Sequence, residues 1–152
     1  DYKFVVGCTG RAVTEDYEYK WKHSFGFDAD SYLYNYWKAK EAILKTRTII
    51  LVEGPGDVWR LEESGIHNSV AMFGTYLSNS QKNIIDNSGA MAIVVLTDAD
   101  EAGKMGAESI FKQCNKTYRV YFPNLSDGDV GDMNRDAITS DIRPLLEKMQ
   151  EV

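Results

Sequence analysis

The residues of this chain best suited to chemistry are carboxylates that end apolar runs. Ala92-Ile93-Val94-Val95-Leu96 gives way through Thr97 to Asp98-Ala99-Asp100, and the helix-forming stretch Glu101-Ala102-Gly103 follows. On extended backbone, residues two apart share a side, so the Asp98 and Asp100 carboxylates are expected to point the same way. Like charges ~4 Å apart repel by roughly 4 kcal/mol at an effective dielectric of about 20, which calls for a positive group between them. A divalent metal is the first candidate. Glu53 and Asp57 hold a comparable place after Thr48-Ile49-Ile50-Leu51-Val52, and Asp127, Asp129 and Asp132 lie in a polar loop after a further apolar run. Hard cations such as Mg²⁺ take oxygen ligands and keep several waters, so carboxylates without histidines suit them. Taken singly, each Asp is better explained as a turn residue or helix cap. Glu53, placed between four aliphatics and Gly-Pro-Gly, is poorly explained that way.

Positioning these groups requires strands that end at one edge. From Thr48 onward, strands over 48–52, 69–73, 92–96 and 118–122 alternate with helices over 58–64, from Ser78 to Asn87, over 101–114 and at the C-terminus. Ser78 to Gln81 forms a capping box. Gly103, Ala107, Ile110 and Cys114 share one helix face, as do Ile138, Ile142, Leu145, Leu146 and Met149, with Pro144 starting a fresh helix or kinking this one. Such alternation implies a parallel sheet covered on both faces, with all strand ends at the same edge. Residues 1–24 read as short irregular strands, with Phe4-Val5-Val6 apolar, Cys8-Thr9-Gly10 turn-prone and Tyr17 to Ser24 aromatic and basic. A loop at 26–30 precedes an amphipathic helix over 31–45, on which Leu33, Tyr36, Trp37 and Ala42-Ile43-Leu44 face the core and Lys38 and Lys40 face water.

The net charge is −6, divided into +1 over residues 1–48 and −7 over residues 49–152. That balance excludes a simple basic nucleic-acid binder. No apolar run approaches the ~20 residues of a membrane span. Cys8 and Cys114 form neither a disulfide framework nor a zinc motif, which fits a cytosolic origin. The start at Asp1-Tyr2-Lys3-Phe4, with neither Met nor a signal pattern, suggests a piece of a longer chain.

Three motifs carry a family resemblance. Val52-Glu53-Gly54-Pro55-Gly56-Asp57, then Phe73-Gly74-Thr75 with Gln81, then Asp98-Ala99-Asp100-Glu101-Ala102-Gly103 resemble the Toprim domain. That domain is shared by bacterial-type DNA primases, type IA and type II topoisomerases, recombination mediators and some nucleases. The variant here is similar to primases, particularly those of phages. The resemblance covers residues 49–152 and extends more weakly to 1–48, where Gly10-Arg11 and Lys20-Trp21-Lys22-His23-Ser24 are similar to the basic subdomain before the primase Toprim unit. The third primase motif resembles Asp-Pro-Asp-Asp, whereas this chain reads Asp129-Val130-Gly131-Asp132. Nothing in the sequence corresponds to the upstream zinc-binding module or the downstream helicase region.

The resemblance implies an α/β fold: a Toprim, Rossmann-like, four-stranded parallel sheet flanked by helices (49–152), preceded by a small mixed α/β subdomain (1–48). It implies a DNA primase core that makes short RNA primers from ribonucleoside triphosphates on single-stranded DNA, with Mg²⁺ or Mn²⁺. A replicative helicase, fused or separate, would be the partner, in the cytoplasm of a bacterium or a phage-infected host. Asp98, Asp100 and Asp129 would be the principal metal ligands, with Asp132 in support. Glu53 would be a general base or added ligand, with Asp57 orienting it. Arg11, Lys20 and Lys22 would contact triphosphate or template backbone. Trp21 and Tyr19 suit either base stacking or a core role, Lys104 either a phosphate contact or solvent, and His23 reads as a surface or hydrogen-bonding residue. The alternative is a Toprim nuclease or topoisomerase cleaving phosphodiesters. A haloacid-dehalogenase-type phosphatase also uses Asp-x-Asp, but its motif continues to Thr or Val where Glu101-Ala102 stands here. Retention of all three acidic groups argues against an inactive Toprim-derived binding domain.

Overall fold

The computed structural model describes residues 4–14, 19–125 and 129–150. Its centre is two five-residue strands, β3 (Thr48–Val52) and β5 (Ala92–Leu96), every residue of which is buried. They pair in parallel, with Val52 opposite Leu96. β4 (Ser69–Ala71) flanks β3 and β6 (Arg119–Tyr121) flanks β5, giving the all-parallel order β4-β3-β5-β6. The four-stranded parallel sheet flanked by helices is therefore as the sequence led us to expect.

Side-chain alternation along the strands divides the core into two layers. Ile49, Leu51, Val70, Ile93 and Val95 face one side, where Ala39 and Ile43 of α1 (Tyr36–Thr46), Ile85 of α3 (Asn79–Asp86) and Ile110 and Cys114 of α4 (Glu101–Cys114) join them. Ile50, Val52, Ala71, Val94 and Leu96 face the other, against Val58 and Leu61 of α2 (Pro55–Glu63) and Ile138 of α5 (Arg135–Asp141). Leu145, Leu146 and Met149 of α6 (Arg143–Gln150) are partly buried on that second layer. Pro144 is the second residue of α6, so it starts a fresh helix. The continuous aliphatic runs of β3 and β5 are what a strand covered on both faces demands.

The N-terminal part differs more from expectation. Phe4 and Val5 are exposed and in no strand, while the turn-prone Thr9-Gly10-Arg11 forms β1 (Thr9–Arg11), antiparallel to β2 (Trp21–His23) with Arg11 opposite Trp21. Ala29–Ser31 makes one 3-10 turn. α1 starts at Tyr36, five residues later than its periodicity suggests. Tyr34 is held extended by a two-way backbone bridge to Ala71 (2.9 and 3.2 Å), and Asn35 turns the chain with φ 68°. The buried face of α1 is Ala39 and Ile43, and Trp37 and Leu44 are exposed.

Gln81 ties this region to the sheet. Its side chain is fully buried, its Nε2 donates to the carbonyls of Ala29, Tyr32 and Met72 (3.2, 2.9 and 2.9 Å), and its Oε1 accepts from Ser78 N–H at 3.1 Å. Ser78 Oγ in turn accepts from Gln81 N–H at 3.0 Å, completing the expected capping box.

Candidate active site

Because the strands are parallel, their carboxyl ends open onto one edge, and a cleft of about 530 Å³ lies there. Glu53 follows β3 and Asp98 follows β5. Since Val52 and Leu96 are in register, the two meet across the edge: Asp98 N–H donates to Glu53 Oε1 at 3.0 Å. Asp57 enters from α2, which begins at Pro55 rather than at residue 58. Proline is pre-set for the first helical position, and Asp57 Oδ2 accepts from Gly54 N–H at 2.9 Å to close the first turn. Asp129 Oδ1 accepts from Gly131 N–H at 2.8 Å, and Asp129, Gly131 and Asp132 all line the cleft. Asp127 lies outside the described residues.

These carboxylates crowd one another. Burial pushes Glu53 up to about 7, against the Asp98 N–H bond that favours its charged form; the charges of Asp98, Asp100 and Asp57 raise it further. Asp57 is pushed up to about 6, by burial first and then by Asp129 and Asp98, while its Gly54 N–H bond and Lys20 work the other way. Asp98 is raised by burial, by the charges of Asp129 and Asp100 and by a side-chain hydrogen bond with Asp129, and lowered by Lys20.

Two glycines make the arrangement possible. A Cβ on Gly131 would stand 2.9 Å from Asp57 Oδ1 and 3.4 Å from Asp129 Oδ1. A Cβ on Gly103 would stand 2.1 Å from the Asp98 carbonyl oxygen, so only glycine lets α4 sit against the Asp98 peptide. Asp100 takes a different role from Asp98. The chain bends after Asp98, and Asp100 is exposed, outside the cleft lining, with Oδ1 accepting from Gly103 N–H at 2.7 Å as the N-cap of α4. The expected same-side pair is therefore divided, although Asp100 still acts electrostatically on Glu53 and Asp98.

The β1–β2 ribbon also reaches the cleft. Arg11 and Lys20 line the cleft, whereas Lys22 and Lys104 are exposed and do not. Trp21 lines it too, with the Arg11 guanidinium 5.7 Å from the centre of its ring, while Tyr19 is exposed. Several lining residues escaped the sequence reading. Trp59 and Arg60 follow Asp57 on α2, and starting that helix at Pro55 puts all three on one element. His23 packs against Phe27 and Phe73 (centroids 5.6 and 5.3 Å), with its Nδ1 enclosed and unpartnered among the described residues. Phe73, at φ 65°, is in a region that bulky residues rarely adopt.

The donor set, all carboxylate oxygens from three strand ends with mutual repulsion that Lys20 offsets in part at Asp57 and Asp98, chemically fits a hard divalent cation. The groups ring the cleft rather than meeting at a point: among the described residues, no three His, Cys, Asp or Glu side chains stand in metal-binding geometry.

The Toprim domain family matches residues 47–122. This chain belongs to the Toprim family. Its motifs at Glu53, Gly74 and Asp98 all fall inside the match, while Asp129 and Asp132 lie beyond it and reach the same cleft through the following loop. The DNA primase of Aquifex aeolicus (strain VF5) is 33% identical over 132 residues, covering 82% of this Toprim chain and 26% of that protein. This chain thus spans about a quarter of that primase's length. The crystal structure of the Aquifex aeolicus primase zinc-binding and RNA polymerase domains superposes with a TM-score of 0.73 at 28% identity, over 97% of this chain and 36% of that one. A primase catalytic domain bound to single-stranded DNA has a TM-score of 0.71 at 22% identity, over 97% of this chain and 47% of that one, and shares the fold. Among the described residues no helix is long and apolar enough to cross a membrane.

Proposed function

We propose that this Toprim chain is a fragment of the catalytic core of a DNA primase, which joins ribonucleoside triphosphates into short RNA primers on single-stranded DNA. The observation that carries the reading is the convergence of Glu53, Asp57, Asp98 and Asp129 on one cleft that Arg11 and Lys20 also line. Nucleotidyl transfer is mostly positioning and charge neutralisation, which a rigid strand edge provides.

Asp98 and Asp129 would hold Mg²⁺ or Mn²⁺, with Glu53 as general base and Asp57, Asp100 and Asp132 shaping the surrounding charge. When bound, the cation neutralises phosphate oxygens and makes a hydroxyl more acidic. The primer 3′-oxygen attacks the α-phosphorus, the bond to the β-phosphate breaks, and pyrophosphate leaves. Glu53 is suited to take the hydroxyl proton, because Asp98 N–H engages only its Oε1 and burial makes it a stronger base than a free carboxylate. Arg11 and Lys20 meet the triphosphate or the template backbone, and Lys22 extends the basic surface outside the cleft. The template is single-stranded DNA, the partner a replicative helicase, fused or separate, and the setting the bacterial cytoplasm, for a protein of host or phage origin.

The test uses the full-length protein that contains this chain, with a single-stranded DNA template, ribonucleoside triphosphates and Mg²⁺ or Mn²⁺. Short RNA oligomers are expected, and Asp98→Asn and Glu53→Gln should lower their yield by about 100-fold or more, as loss of electrostatic and acid–base groups does. DNA nicking without oligomer synthesis would instead favour the Toprim nuclease reading.

A further inference from the structure

We propose that Trp59 is a stacking platform for the base of the nucleoside triphosphate whose phosphates occupy the carboxylate cleft. The inference rests on the nucleotidyl-transfer reading above and adds a base subsite that the acidic motifs do not define.

Trp59 sits on α2 two residues after Asp57, off the face that buries Val58 and Leu61, and it lines the cleft. It is 46% exposed, a large apolar surface left to water beside the candidate catalytic carboxylates. Its ring is nonetheless held in place: Nε1 donates to Tyr34 Oη at 2.9 Å, and Trp21 packs at 5.8 Å with the planes tilted by 60°. With the indole N–H already satisfied, what Trp59 presents to the cleft is aromatic surface without a free donor. Trp37 makes a contrast. It is more exposed, at 65%, but lies outside the cleft.

Trp21 is the poorer platform. The Arg11 guanidinium covers it at 5.7 Å, and its Cζ2 lies 3.8 Å from where a Gly56 Cβ would stand. Trp21 instead braces Trp59, and Arg11 lies over Trp21. One cleft thus holds carboxylates suited to a cation, the cations Arg11 and Lys20 suited to phosphates, and an exposed aromatic surface suited to a base. Those are the three chemistries that a metal-bound nucleoside triphosphate needs. Stacking on an aromatic side chain tolerates every base and strengthens with its π-surface.

The test is equilibrium binding of Mn²⁺·ATP, Mn²⁺·CTP and Mn²⁺·tripolyphosphate to this chain and its variants. The wild type should bind ATP more tightly than CTP, and CTP more tightly than tripolyphosphate. Trp59→Ala should weaken ATP about 5- to 150-fold, the loss of one base stack, abolish the ATP-over-CTP preference and leave tripolyphosphate unchanged. Trp59→Phe should retain most of the preference. Tyr34→Phe, which keeps the ring but frees its N–H, should give an intermediate loss and guards against a Trp59→Ala protein that does not fold. Equal weakening of ATP and tripolyphosphate in Trp59→Phe and Tyr34→Phe would mean that Trp59 only holds the cleft together, and would overturn the proposal. So would equal wild-type affinity for ATP and tripolyphosphate, which would leave the phosphate site standing. Loss of affinity for single-stranded oligonucleotide alone would assign Trp59 to the template and overturn it as well. If the wild type bound none of the three ligands, the nucleotidyl-transfer reading itself would fall, and this proposal with it.

Discussion

Glu53→Gln should stabilise the metal-free protein above neutral pH and do little in acid. Burial and three neighbouring carboxylates lift Glu53 from 4.5 to about 7. An acid whose folded pKa is raised favours the folded state most when protonated. Its contribution is complete below the unfolded value and is lost as the pH climbs through about 7. At ~1.36 kcal/mol per pH unit the full difference corresponds to about 3.4 kcal/mol. Glu53 is only half-buried, and solvent screening cuts this to ~1–2 kcal/mol. The amide keeps an oxygen for Asp98 N–H and removes the charge. For a chain of this size each kcal/mol moves Tm by ~2–4 °C, so in chelator at pH 8 the variant should melt ~3–6 °C above wild type. At pH 4.5 the two should melt together. Millimolar Mn²⁺ at pH 8 should raise the wild-type Tm and raise the variant's less, because a cation that binds only the folded cleft stabilises by mass action. Thermal melts followed by circular dichroism, at two pH values with and without Mn²⁺, make the test. A variant that melts lower than wild type at pH 8, or one that melts higher by the same amount at both pH values, would refute the reasoning.

Two further substitutions probe the frame around the site. Gly131→Ala places a methyl 2.9 Å from Asp57 Oδ1, so the carboxylates must move apart; calorimetric Mn²⁺ titration should show affinity lower by about 10-fold or more, while urea unfolding shifts by about 1–2 kcal/mol, the ordinary cost of overpacking. Gln81→Leu removes the donor shared by the Ala29, Tyr32 and Met72 carbonyls, of which Ala29 O keeps the Tyr32 N–H; urea unfolding should show a loss of about 2 kcal/mol or more, since each orphaned buried group costs about 1–3 kcal/mol.

What was legible in the sequence was whatever one segment decides for itself. Ile49 to Val52 and Ile93 to Leu96 are continuous aliphatic runs of strand length, and no neighbour was needed to read them as buried parallel strands. The acidic groups at strand ends converged for the same reason, because parallel topology fixes which ends share an edge. What escaped was set by distant partners. The start of α1 is delayed by the Tyr34–Ala71 bridge, a contact across 37 residues that no local periodicity records. Pro55 suits the first position of a helix, and starting that helix at residue 58 left Asp57 outside it, so its link to Trp59 and Arg60 on the same helix went unread. Asp100 satisfied two readings at once, and the bend after Asp98 decided for the helix cap. His23 looked like a surface residue because the rings that enclose it, Phe27 and Phe73, arrive from outside its strand.

The third acidic group shows why a loop can belong to a rigid site. Asp129 and Asp132 stand three residues apart, and between and after them come Val130 and Met133, which are 2% and 1% exposed and belong to the second core layer. Backbone bonds from Asp132 N–H to Asp129 O (3.3 Å) and from Met133 N–H to Val130 O (3.2 Å) close the turn. Arg60 Nε donates to Gly131 O at 3.3 Å and fastens it to α2. The loop is thus anchored by burial on one side and by α2 on the other, with its carboxylates left facing the cleft. That arrangement explains how the segment can read Asp-Val-Gly-Asp where primases carry a motif like Asp-Pro-Asp-Asp. Two outer carboxylates line the cleft on a turn that is fixed by Val130, Met133 and the close approach that Gly131 permits.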